Sequence, residues 1–219
     1  MEEYRERYQD PLAAVEYHAN IQPPSKVRTF LDLRRLFAWL VSVAERKSIS
    51  VLVRRLKLSG FIIDVPCGSG KLLSAWFEDL WAIGVDSSRP MLALFRGNGG
   101  RETLQADVSH LPFKSNSIQL VVCNRFLHRV PAQQRVEVLK EIRRISSAWA
   151  VLYYAVFHRG RTWIVQLNRR VGLADSNRIF LCSVNLARDE LRSAGWRISA
   201  ESAILGGVSA GHVFLVERA

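Results

Sequence analysis

The chain is expected to fold as an α/β protein, a doubly wound, mostly parallel sheet with helices on both faces. Three observations predict this. The run F-I-I-D-V-P-C-G-S-G-K, Phe61 to Lys71, joins an uninterrupted apolar stretch to a glycine-rich turn, and only a strand covered by helices above and below has no need to alternate. Two further strand segments, Trp81 to Asp86 and Thr103 to Ala106 with Asp107 behind it, also close on an aspartate. Finally, 219 residues with a hydrophobic fraction of 48% suit one domain with six or seven strands and their covering helices.

Taken in order, residues 1–24 carry scattered aromatic and polar side chains (Tyr4, Tyr8, Tyr17, His18) and end in Gln22-Pro23-Pro24-Ser25, which breaks any helix. From Thr29, apolar residues at Phe30, Leu33, Leu36, Phe37, Leu40, Val41 and Ala44 follow helical spacing toward Val51 and Leu52. Residues 1–58 are read as an N-terminal helical or lid segment and 59–219 as the main domain. The strand from Phe61 stops at Pro66, which has no N–H for a ladder, and Gly68 and Gly70 permit a sharp turn. Lys71 to Leu80 then reads as a helix whose N-terminus points back into the turn, a cradle of backbone N–H groups facing a ligand. Asp86 closes the second strand, and D-S-S-R-P after it is a helix start leading through Met91 to Phe95. Thr103 to Ala106, Ser117 to Asn124 and Trp149 to Phe157 are the third to fifth strands. Gln133 to Ile145 between the last two is an amphipathic helix with Val136, Leu139, Ile142 and Ile145 on its apolar side and a basic outer face. A helix from Leu186 to Ala194 and an antiparallel pair, Trp196 to Ser202 and His212 to Glu217, end the chain.

The net charge is +11, and 25 of the 31 basic residues are arginine, spread from Arg5 to Arg218. An even spread reads as a solvated surface, while leaving room for an anionic partner such as nucleic acid or a membrane face. No apolar run approaches the ~20 residues of a membrane span, and the start M-E-E-Y-R-E-R-Y is too charged for a secretory signal, so a cytoplasmic protein is expected. Cys67, Cys123 and Cys182 form no C-x-x-C or Cys/His cluster and are expected to be reduced, with no metal site.

The glycine turn admits three chemistries. A phosphate-binding G-x-x-x-x-G-K-[ST] fails at Val65 and at Leu72, and a dinucleotide G-x-G-x-x-G fails at Leu73. The third is a turn for a nucleoside without phosphate. Asp64 suits an ammonium group, Asp86, twenty-two residues on, suits a ribose diol, and Asp107 with Val108 suits an adenine.

Asp64 to Gly70 (D-V-P-C-G-S-G), G-V-D-S-S, A-D-V-S-H-L-P-F and S-I-Q-L-V-V-C-N-R-F-L-H together resemble class I S-adenosylmethionine-dependent methyltransferases, especially the small-molecule branch that includes quinone and sterol methylating enzymes. The resemblance runs from about Phe61 to Ile145. Pro66 replaces the family's first glycine, Gln119 a frequent Asp, and Ser146-Ser147-Ala148-Trp149 a frequent proline-glycine turn.

The resemblance implies a Rossmann-like sheet of seven strands with an antiparallel last strand, and S-adenosyl-L-methionine as cofactor. Asp64, Pro66, Cys67, Gly68, Gly70, Asp86, Ser87, Asp107, Val108 and Asn124 would hold it. It further implies a substrate-pocket insertion at about 158–185, where Arg169 and Arg170 with Tyr153 and His158 would meet a small-molecule or lipid-like, anionic acceptor. His128, in the loop over the expected methyl position, is the candidate base, with a reference pKa near 6.5. Neither an Asn-Pro-Pro-Tyr tetrad nor paired cysteines occur, which favours an oxygen acceptor. An RNA methyltransferase and a cofactor-binding subunit without its own activity are the alternatives.

Overall fold

The computed structural model describes residues 9–19, 30–72, 81–157, 180–207 and 209–219. Helices α1 (Pro11–Ala19) and α2 (Phe30–Val53) precede strand β1 (Phe61–Asp64). Then come β2 (Trp81–Asp86), α3 (Arg89–Gly97), β3 (Glu102–Gln105), β4 (Ile118–Cys123), a short 3-10 turn (Leu127–Arg129), α4 (Ala132–Ile145), β5 (Ser146–Ala155), α5 (Val184–Ser193), β6 (Trp196–Ala203) and β7 (Gly211–Arg218).

The seven strands form one sheet in the order β3-β2-β1-β4-β5-β7-β6. The first five pair in parallel, and β7 runs antiparallel to both β5 and β6. This is the expected doubly wound sheet with an antiparallel last strand. Its order reverses at β1, which lies between β2 and β4, so the crevice at the carboxyl ends of β1 and β4 is where such a sheet accepts a ligand.

Both faces are covered. On one, Leu139 and Ile142 of α4 and Leu191 of α5 pack with Val121, Leu152 and Trp196. On the other, Ile49, Leu52 and Val53 of α2 pack with Ile62, Leu120 and Val151. The absence of alternation in β1 follows, because Ile62 and Ile63 face opposite cores. Phe61 departs from the expectation of a fully buried strand: it is 43% exposed at the amino end, beside Trp81 in the next strand. In β2, Gly84 is dictated by packing, since a Cβ there would stand 2.5 Å from the ring of fully buried Phe95 in α3.

Elements form within a few residues of where the pattern puts them, and the face of α4 differs from its expected one. The buried side of α4 is Val138, Leu139, Ile142 and Ile145, with Val136 half-buried, and Arg135 points inward instead of joining the basic outer face. Its partner is Glu190 of α5, an ion pair that spacing within either helix cannot reveal. In α5, Ala187, Glu190 and Leu191 are buried and Leu186 is exposed. Residues 71 and 72 are a turn, and the rest of the helix expected to Leu80 lies outside the described residues. So does the greater part of the expected insertion, including His158, Arg169 and Arg170; its described end carries the Val156–Cys182 bridge and the start of α5.

Candidate active site at the glycine turn

The turn after β1 is held from both sides of the sheet. Val65 N–H donates to the Val122 carbonyl at 2.8 Å and Cys67 N–H to the Val85 carbonyl at 2.9 Å, so the chain crosses from the β4 side to the β2 side within three residues. Gly68 and Gly70 have φ of 53° and 79°, the left-handed region that a side chain disfavours. Around Gly68 there is open space, so the requirement is conformational, not steric.

Asp86 joins this turn to the next element. Gly68 N–H donates to its Oδ2 at 2.9 Å and Ser88 N–H to its Oδ1 at 2.9 Å. Ser88 in turn caps α3, its hydroxyl accepting from Met91 N–H at 3.2 Å. Each oxygen of Asp86 keeps a further lone pair for a diol. Burial raises its pKa, and the N–H groups of Ser88, Gly68 and Ser87 oppose the rise.

Asp64 is buried, and its Oδ1 has no hydrogen-bond partner among the described residues. Burial first, and then the charge of Asp86, push its carboxyl up to about 8. The folded chain therefore holds a proton that the unfolded chain has lost between 3.8 and about 8. Stability should fall as pH rises through that window and level off above it, by something on the order of 5 kcal/mol. Urea titrations of wild type and Asp64→Asn across this range would read the difference, the other titrating groups being common to both. A constant difference would mean that Asp64 titrates normally.

These residues line an open cleft enclosing about 650 Å³. Of the positions expected from sequence, Asp64, Pro66, Cys67, Gly68, Asp86, Ser87 and Asn124 line it. Gly70, Asp107, Val108, His128 and Tyr153 are not among its walls. Asp107 lies on the same edge, two residues beyond β3, where its Oδ1 accepts from Ser109 N–H at 2.9 Å and Ser109 Oγ at 2.7 Å. His128 is buried, its ring 5.7 Å from that of Tyr153, and burial and then the Arg129 and Arg125 charges push its pKa down to about 3. It is therefore a neutral imidazole across the physiological range and a weak base.

Residues that sequence reasoning passed over complete the cleft. From α1 comes Tyr17, while Lys71 follows the turn and Met91 sits in α3. The α1 segment spans the cleft rim: His18 Nδ1 lies 3.2 Å from Ser69 Oγ, Gln9 Nε2 donates to the Ser87 carbonyl at 3.1 Å, and Ala14 packs on Met91. Arg125 lines the far end, at φ of 52°, an uncommon conformation for a side-chain-bearing residue. It is fixed by buried Glu45 of α2, whose Oε2 accepts from Arg125 Nε at 2.7 Å and whose Oε1 accepts from Asn124 Nδ2 at 2.7 Å. Ser42 Oγ accepts a second bond from Arg125, through Nη2, at 3.2 Å. Glu45 was legible as a lone acid beside Arg46 and Lys47, but its partners lie about eighty residues away.

The geometry agrees with comparison to known proteins. Residues 63–152 match a methyltransferase domain. An uncharacterized protein of Methanocaldococcus jannaschii is 30% identical over 52% of this chain and 48% of its own length. A demethylmenaquinone methyltransferase of Lactiplantibacillus plantarum is 30% identical over 44% of this chain and 45% of its own. The chain thus spans about half the length of the curated relatives it matches. Among solved structures, magnesium protoporphyrin IX methyltransferase (ChlM) from Synechocystis PCC 6803 with bound SAH superposes with a TM-score of 0.75 at 16% identity, covering 99% of this chain and 98% of that one. A methyltransferase from Haloferax volcanii solved in complex with the Trm112 activator superposes at 0.60 with 17% identity, over 83% and 94%.

The chain thus matches a methyltransferase domain over residues 63–152 and shares the fold of methyltransferases solved with S-adenosylmethionine (SAM) or SAH bound. The residues present fit that cofactor. An orphaned buried carboxyl oxygen at Asp64 suits its ammonium, the bare backbone at Gly68 allows close approach, and Asp86 has acceptor capacity for its ribose. No described helix is long and apolar enough to cross a membrane.

Proposed function

We propose that the chain transfers the methyl group of S-adenosylmethionine to an already ionised oxygen of a small-molecule or lipid-like acceptor, with α1 closing over the cleft as a lid. The cofactor supplies an activated methyl on a sulfonium. The chain's part is to hold it, keep water away and present the acceptor in line.

Arg125 carries this reading. Its guanidinium stands at the cleft wall where the acceptor would approach, locked by Glu45 and Ser42, and it offers a charge and donors to an anion. His128 supports it from the other direction. With its pKa near 3 it deprotonates an ordinary alcohol poorly, so an acceptor that arrives ionised needs no base. His128 and Tyr153 then serve as packing behind the acceptor, and Arg169, Arg170 and His158 are proposed to meet the anionic acceptor. The demethylmenaquinone methyltransferase among the relatives and the magnesium protoporphyrin IX methyltransferase among the structures of like fold are consistent with a small-molecule acceptor.

The test is calorimetric binding of S-adenosylmethionine, followed by assay of S-adenosylhomocysteine formation with carboxylic acids and with phenols acidic enough to be ionised at the assay pH, paired with their neutral esters and ethers. Turnover should appear with the acids and phenols alone. Arg125→Gln should lower kcat/KM about 10–100-fold for those acceptors while leaving cofactor affinity within a few-fold. Equal turnover of amines or neutral alcohols would overturn the reading, and so would an Arg125→Gln variant with unchanged kcat/KM. A gel shift with RNA that vanishes at high salt without accompanying methylation would mark the charge as surface attraction only.

A further inference from the structure

Three buried polar atoms of cleft-lining residues have no hydrogen-bond partner among the described residues: the acceptors Oδ1 of Asp64 and Oδ1 of Asn124, and the donor Nζ of Lys71. Asp64 and Lys71 flank the same turn, one before it and one after it. Lys71 Nζ lies 5.0 Å from the centroid of the Tyr17 ring, which covers it from α1. Arg125, Arg129 and Arg46 are near enough to act on it with the same sign of charge. Glu45 acts with the opposite sign, but its two oxygens already accept from Arg125 and Asn124.

A buried ammonium among guanidinium groups is strongly disfavoured, and burial, then Arg125, hold the Lys71 pKa well below its ordinary value. Such a side chain destabilises the empty protein. Its placement makes physical sense if an anion enters with the ligand. The pairing of an unmet acceptor with an unmet donor is complementary to an α-amino acid, which carries an ammonium and a carboxylate on one carbon.

We infer that Lys71 binds the carboxylate of the cofactor's amino acid end, opposite Asp64 at its ammonium, with Tyr17 closing over the pair. This rests on the cofactor reading above. It adds that cofactor recognition in this chain includes a cation placed one residue past the glycine turn and shielded by the N-terminal helix. An acceptor carboxylate would offer the same chemistry, and the test separates the two sources.

Titration calorimetry on the full chain would compare S-adenosylmethionine with its decarboxylated analogue for wild type, Lys71→Met and Lys71→Arg. Wild type should prefer the carboxylated ligand by about 10-fold or more, the range of one charge-assisted hydrogen bond. Lys71→Met should erase that preference by weakening S-adenosylmethionine alone, and Lys71→Arg should retain much of it. The melting temperature of ligand-free Lys71→Met should rise, because an unpaired buried amine has become apolar, a change that a misfolded variant would not show. A Lys71→Met protein that keeps the wild-type preference overturns the inference. If that protein also loses turnover at saturating cofactor, the amine serves the acceptor instead. Failure of wild type to bind either ligand would sink the cofactor reading itself, a result distinct from loss of preference.

Discussion

Glu190→Ala should lower the free energy of unfolding by about 3–5 kcal/mol, the cost of leaving a buried charge without its partner. Arg135 of α4 donates through Nε and Nη2 to both Glu190 oxygens at 2.7–3.1 Å, and through Nη1 to the Val130 carbonyl at 3.0 Å. Tyr154 of β5 donates its hydroxyl to Glu190 Oε2 at 3.1 Å, so one carboxylate ties two helices to the sheet. Both charged residues are buried, Arg135 at 2% and Glu190 at 6% exposure. Truncation leaves the guanidinium and the phenol without an acceptor in an apolar layer. Urea denaturation would measure the loss. Changing both at once, Arg135→Met with Glu190→Leu, should recover most of it, since a buried pair replaced by apolar side chains of similar volume is near neutral. A single-variant loss under about 1 kcal/mol would mean that water reaches the pair. Neither residue lines the cleft, so cofactor affinity of the folded protein should be unaffected.

That pair also marks where sequence reasoning stops. Fold class was readable because its cause is local: Ile62, Ile63, Leu120, Val121 and Val122 form uninterrupted apolar runs, and a strand buried on both faces has no other pattern. The glycine turn and the carboxylates Asp64 and Asp86 were readable for the same reason, since each closes its strand and the sheet brings strand ends to one edge. The rest depends on contacts between distant segments. Glu45 grips Asn124 and Arg125 across about eighty positions, and α1 reaches Ser69, Lys71 and Ser87 from a stretch whose spacing shows little pattern. Burial is equally nonlocal. His128 has the composition of a base, but its pKa is set by Arg125, Arg129 and the packing around it. Asp107 shows a milder form of this. It stands at the right edge, yet its nearest documented role is to hold Ser109, as short acidic side chains do in turns.

Asp86→Ala should reduce affinity for S-adenosylmethionine at least 100-fold. Two contributions add. The ribose diol would lose two charge-assisted acceptors, each worth about 1.5–3 kcal/mol. In addition, the N–H groups of Gly68 and Ser88 would lose the carboxylate that joins turn to helix, so the backbone that faces the ligand becomes less ordered. Asp86→Asn separates these. It keeps one amide oxygen for a backbone N–H but presents a donor where the second oxygen accepted, and it should cost about 10-fold. Adenosine and 2′-deoxyadenosine isolate the ribose contribution: wild type should discriminate between them about 10-fold, and Asp86→Ala should bind both alike. Persistent discrimination in that variant would move the diol to another carboxylate on the same edge, with Asp107 the nearest in register, because Asp86 pairs with Gln105 two residues before it. If instead the variant loses affinity for both nucleosides equally, the role of Asp86 is to brace the turn, and the N–H of Gly68 becomes the group through which it acts.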